Sequence, residues 1–236
     1  MKSQMAKNFL VVGASGSIGL AIQEELSSQA HNVWGISRSI VTNLAQRSLG
    51  LSDVLSDDEA IFKRLPKFDG VVFAQGANVN DNVMSFDKAV HQSVYNANVL
   101  VILELINLLT THHLLAGKSS ICIVSSIWQD IARNNKLSYS VSKSALKGLV
   151  LSLVADVSAS GVRVNAVLPG PIDNAMTREV LSDTQIAKFE SESPSGSIST
   201  LSSVINAVVW LISPESEGIT GNFIRVDSGA SHVRLY

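Results

Sequence analysis

The chain has 236 residues, of which 46% are hydrophobic and 16% charged, enough apolar material for one large domain with a full core. Its formal net charge of −2 implies no broad basic face of the kind that binds nucleic acid or an anionic membrane. The longest apolar stretch, residues 98–109, contains Glu104 and is too short to span a membrane. The single cysteine, Cys122, excludes an intrachain disulfide and is typical of a reducing compartment. We therefore expect a soluble cytoplasmic protein.

Short β-branched runs alternate with longer amphipathic patterns along the chain. Strands are predicted at 8–14, 31–38, 70–76, 119–126, 162–170 and 222–229. Helices are predicted at 18–29, 87–114, 138–159 and 200–213. Repeated strand–helix units and near-continuous apolar strands such as GVVF favour a parallel sheet that is covered on both faces. The fold class is therefore α/β, a single-domain doubly wound parallel sheet over residues 1–236, with helices on both faces.

The segment 171–199 is the least regular part of the sequence. It is rich in Ser, Asp and Glu and is broken by Pro194 and Gly196. A long irregular segment within a compact domain is usually functional or mobile. We expect it to be a mobile loop that closes over a substrate.

Three glycines, Gly13, Gly16 and Gly19, lie between the first strand and the first helix in VVGASGSIG. Glycine lets a backbone turn tightly and approach a pyrophosphate, and the helix N-terminus that follows supplies free N–H groups and a positive dipole end. This pattern, placed between a strand and an amphipathic helix, predicts a dinucleotide-binding turn.

The end of the second predicted strand distinguishes between the two nicotinamide cofactors. A carboxylate there would bind the adenosine ribose hydroxyls, but the sequence is GISRS, with Ser37 and Arg38 and no acidic residue. A guanidinium pairs with a 2′-phosphate and a serine hydroxyl donates a hydrogen bond to it. We therefore expect NADP rather than NAD.

Further motifs complete a family pattern. Asn98 lies in NANVL, Ser126 ends the strand in IVSSIW, Tyr139 follows thirteen residues later and Lys143 four residues after that. VNAVLPGP and ITGNFIRVDSG follow towards the C-terminus. Together with GASGSIG, these motifs resemble the short-chain dehydrogenases/reductases over nearly the whole chain.

The resemblance implies a Rossmann fold and an NADP(H)-dependent oxidoreductase that transfers a hydride between the nicotinamide and a carbonyl or secondary alcohol, without a metal. The implied catalytic residues are Asn98, Ser126, Tyr139 and Lys143. The implied cofactor-binding residues are Gly13, Ser15, Gly16, Ser17, Ile18, Gly19, Ser37, Arg38, Asp53, Ala74, Gly76, Tyr139, Lys143, Pro169, Gly170 and Ile172. Asp53 would contact the adenine amino group. The family also implies a homo-oligomer, a tetramer or dimer, formed through the helix that contains Tyr139.

The sequence departs from the family pattern at three places. The Asn-Asn-Ala-Gly that follows the fourth strand in the family is FAQG here, which retains Gly76 but loses the asparagines that brace the sheet. Asn174 stands where many relatives have Thr, and the closing Asp-Gly-Gly is Asp-Ser-Gly at 227–229. None of these changes removes a catalytic group.

The chemistry of the site centres on Tyr139. A spacing of four places Lys143 on the same helix face, where its ammonium is expected to lower the pKa of the phenol, and a bound positively charged nicotinamide would add to this effect. Tyr139 would then exchange a proton with the substrate oxygen while Ser126 donates a hydrogen bond to it. Ser125 is the alternative serine, but the family spacing favours Ser126. By the resemblance, Lys143 also reaches the nicotinamide ribose, and Asn98 orients Lys143 through water.

Two alternatives remain open from the sequence. One is a non-catalytic NADP(H)-binding regulator, although such a protein has no need of the tyrosine. The other is a 3-oxoacyl-carrier-protein reductase, for which an acidic carrier protein would favour a basic patch; Arg133, Lys136, Arg178 and Lys188 are too scattered to decide. The substrate would be set by residues 127–137, with Trp128 and Gln129 expected to touch it, and by the 171–199 segment.

Overall fold

The computed structural model describes residues 5–38, 47–173 and 182–233. Seven parallel strands form the main sheet: β1 Asn8–Val12, β2 Asn32–Ser37, β3 Ser48–Gly50, β4 Phe68–Phe73, β5 Leu115–Val124, β6 Arg163–Pro169 and β9 Phe223–Val226. Their order in the sheet is β3-β2-β1-β4-β5-β6-β9. A separate parallel pair joins β7, Ile172–Asp173, to β8, Ser199–Thr200.

Helices cover both faces of this sheet. They are α1 Ser17–Ser28, α2 Leu51–Leu55, α3 Glu59–Phe62, α4 Lys88–Tyr95, α5 Val101–Thr111, α6 Leu137–Val157, α7 Asp183–Glu192 and α8 Leu201–Ile212. A π-helical turn, Asn96–Leu100, joins α4 to α5. Single 3₁₀ turns occur at Val83–Ser85, Ile127–Gln129, Ser158–Ser160 and Pro214–Ser216.

The core has two layers because successive strand residues point to opposite faces of the sheet. Leu10 and Phe73 pack with buried residues of α5 and α6 on one face. Phe9 and Val72 pack with α1 and α8 on the other. The helical stretch Lys88–Thr111 has the length and mean hydropathy, 1.4, of a membrane span, but 44% of its most apolar window is buried in the fold. A core helix of a globular domain has these same properties.

The order of the strands creates a crevice at one edge of the sheet. The chain runs outwards from β1 through β2 to β3, returns to β4 on the other side of β1, and then continues to β5 and β6. The loops that follow β1 and β4 therefore leave in opposite directions. Ligands of doubly wound sheets bind at such a switch point, beyond the carboxyl ends of the strands.

The predicted fold class is confirmed, and the six predicted strands and four predicted helices are present with ends that shift by a few residues. The short elements β3, α2, α3 and α7 were not predicted because they bury few apolar side chains. Within the segment expected to be a loop, α7 begins at a capping box in which Ser182 and Gln185 exchange side-chain-to-backbone hydrogen bonds. Asn174 and Arg178 lie outside the described residues. Cys122 is fully buried, and burial raises the pKa of its thiol to about 12.

Candidate active site

The glycine turn, residues 13–19, lies at the switch point and has no room for side chains. Gly13 has a φ of +80°, and a Cβ there would lie 2.5 Å from the backbone nitrogen of Gln75, which follows β4. A Cβ on Gly19 would lie 2.2 Å from the Gly13 carbonyl oxygen. Both glycines are therefore required by close backbone approach. The turn brings the ends of β1 and β4 and the start of α1 together.

The first turn of α1 is open to an anion. Its N-cap is Gly16, which provides no side-chain cap, and the first turn carries no acidic residue. The Gly16 N–H donates to the Gly13 carbonyl at 3.0 Å, and the first helical N–H groups, at Ser17 and Ile18, follow it. Ser15 is exposed at the mouth of the turn. Uncapped N–H groups together with the positive end of the helix dipole fit a phosphate group.

The residues expected at the adenosine end lie at the ends of β2 and β3. Ser37 is the last residue of β2 and is buried, and Arg38 directly after it is exposed. Asp53 lies in the first turn of α2, with its carboxylate over Gly50, where a Cβ would lie 2.5 Å from its Oδ2. The two side chains with opposite charges, Arg38 and Asp53, thus both follow strands at the same edge of the sheet.

The other expected cofactor residues follow β4 and β6. The Ala74 N–H donates to the Val12 carbonyl at 2.9 Å, which joins the two loops by backbone bonding where the family's asparagines are missing. Pro169 ends β6, and the Gly170 N–H donates to the Val226 carbonyl at 2.9 Å. Ile172 is buried in β7. A Cβ on Gly170 would lie 3.0 Å from that of Asp227, so a larger residue would crowd the strand end.

The residues Ser126, Tyr139 and Lys143 are brought together at the ends of β5 and α6. The Ser126 hydroxyl is close enough to the Tyr139 phenol to lower its pKa. Lys143 is 3% exposed; its Nζ donates to the Val124 carbonyl at 3.0 Å and lies 5.7 Å from the centroid of the Tyr139 ring. The Ser125 hydroxyl instead donates to Oε1 of Gln129 at 2.9 Å. The geometry therefore pairs Ser126, not Ser125, with the tyrosine.

The pKa shifts of this group follow from its burial. Burial raises the pKa of Tyr139, and the hydrogen bond from Ser126 offsets part of that rise. Burial lowers the pKa of Lys143 to about 8. The expectation that Lys143 lowers the pKa of Tyr139 below its ordinary value is therefore wrong for this structure, because desolvation disfavours the phenolate. At neutral pH the phenol keeps its proton.

Asn98 lies in the π-helical turn and braces the loop after β4. Its Oδ1 accepts from the Ala77 N–H at 2.7 Å, and its Nδ2 donates to the Ala77 carbonyl at 2.9 Å. The same Nδ2 donates to the Ser142 hydroxyl at 2.9 Å, one residue before Lys143. A Cβ on Gly76 would lie 3.6 Å from Asn98 Oδ1 and 3.7 Å from Lys143 Nζ, so Gly76 lies next to both. π-Helical turns such as the one that contains Asn98 are frequent at functional sites.

Gln75 and Asp81 were not predicted as site residues, and Lys136 was named only as one of four scattered basic residues. Both amide atoms of Gln75 are buried without a hydrogen-bond partner among the described residues, directly beside the glycine turn. The Asp81 carboxylate accepts from the backbone and hydroxyl of Ser138 and so caps the start of α6. The Gln129 side chain is buried against Ser125, and Trp128 is only partly buried. The helix that begins just before Y-x-x-x-K indicated that some residue must cap its start. Asp81 could not be identified as that residue because it is far from this helix in the sequence.

Comparison with known proteins decides the family. A family model described as enoyl-(acyl carrier protein) reductase matches residues 53–231, more than half of the chain. The chain belongs to the short-chain dehydrogenase/reductase family. It is therefore an oxidoreductase of a family that binds nicotinamide cofactors and acts on small molecules.

Individual members of the short-chain dehydrogenase/reductase family are similar over nearly their full length. The 3-oxoacyl-[acyl-carrier-protein] reductase FabG of Escherichia coli (strain K12) is 28% identical, over 93% of this chain and 95% of that protein. The uncharacterized oxidoreductase YmfI of Bacillus subtilis (strain 168) is 26% identical, over 95% and 99%. The solved structure of a short chain dehydrogenase family protein from Francisella tularensis superposes with a TM-score of 0.85 at 26% identity, covering 97% of this chain and 100% of that one.

Proposed function

We propose that this protein is an NADP(H)-dependent oxidoreductase that reduces a carbonyl compound to a secondary alcohol, or runs the reverse reaction, in the cytoplasm. The observation that carries the proposal is the pairing of Ser126 with Tyr139, above the buried ammonium of Lys143. This group lies at the same edge of the sheet as the glycine turn. A reacting carbon placed between them would meet both a proton donor and the cofactor.

The residues at the switch point fit a dinucleotide. The glycine turn excludes side chains, the start of α1 presents uncapped N–H groups, and Gln75 offers an unpartnered donor and acceptor next to Gly13. The bound cofactor would supply the hydride. The sequence at the end of β2, GISRS, has Ser37 and Arg38 and no acidic residue, which favours a 2′-phosphate and therefore NADP.

The proton step would use Tyr139 as a general acid in the direction of reduction. Because burial raises its pKa, the phenol is protonated at neutral pH and is ready to donate to a substrate oxygen as charge develops there. Ser126 would donate a hydrogen bond to the same oxygen. Lys143, next to Gly76, would hold a positive charge under the ring, and Asn98 would hold the loop that covers Lys143.

A 3-oxoacyl-carrier-protein reductase is the second candidate within this activity. It is favoured by the 28% identity to the Escherichia coli FabG over nearly the whole of both chains. The other alternative, a cofactor-binding regulator without catalysis, is disfavoured because Ser126, Tyr139 and Lys143 form a complete acid/base group. Binding alone would not require a hydroxyl pair at the carboxyl end of β5.

The deciding experiment is titration of the purified protein with NADPH and, separately, NADH, followed by a screen of carbonyl substrates with the cofactor that binds. Tight NADPH binding, weak NADH binding and turnover of at least one carbonyl are expected. Binding of NADPH without turnover of any carbonyl would favour the regulator. Failure to bind either cofactor would overturn the proposal.

We also propose a homo-oligomer, a tetramer or a dimer, that uses the outer face of the helices α4 to α6. Exposed apolar side chains on this face are Val90, Leu100, Leu103, Val141 and Leu151. Gly148 lies among them on α6 with open space above it, which would allow a second helix to approach closely. Other apolar residues of α6, namely Leu146, Leu149, Val150 and Leu153, pack in the core. Apolar side chains gathered on one outer face are typical of subunit contacts.

A further inference from the structure

The loop after β4, residues 74–82, runs past the Tyr139 ring from the cofactor side of the site to its far side. Gln75 lies against Gly13 of the glycine turn, and Gly76 lies next to Lys143. Ala77 is held by Asn98. Further along, Asp81 is bonded to Ser138 at the start of α6. The loop therefore connects the glycine turn to the start of α6.

At the far side a second lysine, Lys136, lies beside the same ring. Its Nζ is 5.7 Å from the Tyr139 centroid, the same distance as that of Lys143. It donates to Oδ1 of Asn78 at 2.7 Å and, more weakly, to the Val79 carbonyl at 3.4 Å. Two ammonium groups thus lie equally far from the Tyr139 ring, Lys143 beside Gly76 and Lys136 beside Asn78.

Lys136 is a nearly buried cation without a matching anion. The residue is 5% exposed, and within the described parts of the chain no carboxylate forms an ion pair with it. Asp81, whose charge acts on Lys136, has both carboxylate oxygens bonded to Ser138. An ammonium has three donors, and here one is used well and one weakly. Buried charges in proteins are normally paired, but the ammonium of Lys136 has no anionic partner among the described residues.

The charge around Lys136 is positive rather than balanced. Burial and then the guanidinium of Arg133 lower the pKa of Lys136, while Asp81 raises it. Arg133 lies over the Trp128 ring, with its Cζ 5.5 Å from the ring centroid, in the segment between Ser126 and Tyr139. An anionic group bound here would add an attractive neighbour to the ammonium of Lys136.

We propose that Lys136 is the specificity-determining residue for a carboxylate on the substrate, so that the protein acts on oxo acids and their hydroxy-acid counterparts. The proposal rests on the oxidoreductase function proposed above. The substrate carbonyl would lie at Ser126 and Tyr139. The substrate carboxylate would lie on the side away from the glycine turn, where it would accept a hydrogen bond from the ammonium of Lys136. The residue Lys136 is 5% exposed, which suits a small anionic group better than a protein surface.

The test compares matched pairs of an oxo acid and its methyl ester, such as 3-oxobutanoate and methyl 3-oxobutanoate, with the 2-oxo, 4-oxo and 5-oxo acids in the same format. Wild type should prefer the acid in at least one pair. Lys136→Met should raise the KM for that acid by about tenfold to a hundredfold, the effect of a lost charge-assisted hydrogen bond. It should leave kcat, the KM of the ester and the Kd for NADPH nearly unchanged.

Two control variants separate charge recognition from a purely structural role. Lys147→Met removes an exposed lysine of α6, bonded to Asp130, and should change the KM of neither the acid nor the ester. Asn82→Ala breaks the link between Asn82 and Asn135 on the same loop without removing charge, and should affect both substrates alike. Equal losses for acid and ester in Lys136→Met would overturn the proposal, as would a wild-type preference for the ester in every pair.

A binding measurement makes the outcome independent of turnover. The hydroxy acids that correspond to the oxo acids, and their methyl esters, are titrated into the wild-type and Lys136→Met complexes with NADP⁺ by calorimetry. Tighter binding of an acid than of its ester in wild type only is the expected result. Acid and ester of equal affinity in wild type would overturn the role of Lys136. Failure to bind either nicotinamide cofactor would instead count against the proposed function itself.

Discussion

The side chain of Asn98 pairs with the backbone of Ala77 in both directions, accepting from its N–H at 2.7 Å and donating to its carbonyl at 2.9 Å. The amide side chain of Asn98 thus makes the two hydrogen bonds that a neighbouring β-strand would otherwise make to this loop. The pairing fixes Gly76 over Lys143 and connects, through Ser142, to α6. One buried asparagine therefore links the helix that contains Tyr139 to the loop after β4.

Replacement of the tyrosine hydroxyl should separate binding from turnover. Tyr139→Phe removes the proton donor but keeps the ring, so turnover should fall by about 10²-fold to 10⁴-fold, while the Kd for NADPH changes little. Steady-state rates and a fluorescence titration of NADPH check both effects. Tyr95→Phe makes the same change at the end of α4, outside the site, and should leave the rate intact. Near-normal turnover in Tyr139→Phe would refute the proton-donor role.

Removal of the guanidinium at the end of β2 should alter the choice of cofactor. Arg38→Ala is expected to weaken NADPH binding by about tenfold to a hundredfold, because a charge-assisted bond to the 2′-phosphate is lost. NADH binding should be nearly unchanged. Arg64→Ala, at another exposed arginine, is the matched control and should affect neither cofactor. Equal weakening of NADPH and NADH by Arg38→Ala would contradict an interaction with the 2′-phosphate.

The buried ammonium of Lys143 should lower stability at neutral pH. Its pKa falls from 10.5 to about 8 on folding, which corresponds to about 3 kcal/mol of lost free energy of unfolding when the group is protonated. Lys143→Met removes that cost but leaves the Val124 carbonyl without its donor, a loss of about 1–3 kcal/mol. We expect a net gain of about 1 kcal/mol at pH 7 together with loss of activity.

The pH dependence of this effect has a definite sign. Between about pH 8 and 10.5 the unfolded chain holds a proton at Lys143 that the folded chain has released, so wild-type stability rises with pH in this window. The advantage of Lys143→Met should therefore be larger at pH 7 than at pH 9. Urea unfolding at the two pH values measures it, with Lys147→Met as the exposed control. An advantage that grows with pH would be inconsistent with the lowered pKa.

The closing turn of the chain contains a strained serine. Ser228 has a φ of +56°, a left-handed conformation, at the position where the family has glycine. Ser228→Gly should stabilise the fold by about 1 kcal/mol and raise Tm by about 2–4 °C, because the Cβ clash is removed. Ser160→Gly, at a serine in a right-handed 3₁₀ turn, should lower Tm instead. Calorimetric melting of both variants provides the check, and a lower Tm for Ser228→Gly would disprove the strain.

A charge on the outer face of α6 should reduce the size of the assembly. Leu151 is 49% exposed on this face, so Leu151→Glu would place a carboxylate in the proposed subunit contact. Light scattering after size exclusion should show a smaller particle than wild type. Ser27→Glu on α1, which covers the opposite face of the sheet, should leave the mass unchanged. An unaltered mass in Leu151→Glu would place the contact elsewhere.

Much of the site could be predicted because its chemistry is local in sequence. The glycine turn follows from spacing, and Tyr139 and Lys143 share a helix face because they are four residues apart. The contacts of Lys136 and Gln75 could not be predicted, since they join α6 and the glycine turn to an aperiodic loop. The direction of the Tyr139 pKa shift depends on burial, which pair spacing does not report.

The open first turn of α1 makes the stability of the protein depend on a bound ligand. A helix that begins at Gly16 without a cap gains its missing partner when an anion binds, and a ligand at a hundred times its Kd adds about 2.7 kcal/mol to the free energy of unfolding. Because proteolysis acts on unfolded or opened molecules, the protein would be degraded more slowly in a cell as the ligand becomes more abundant. The amount of this enzyme would then follow the supply of its own cofactor without any change in its synthesis.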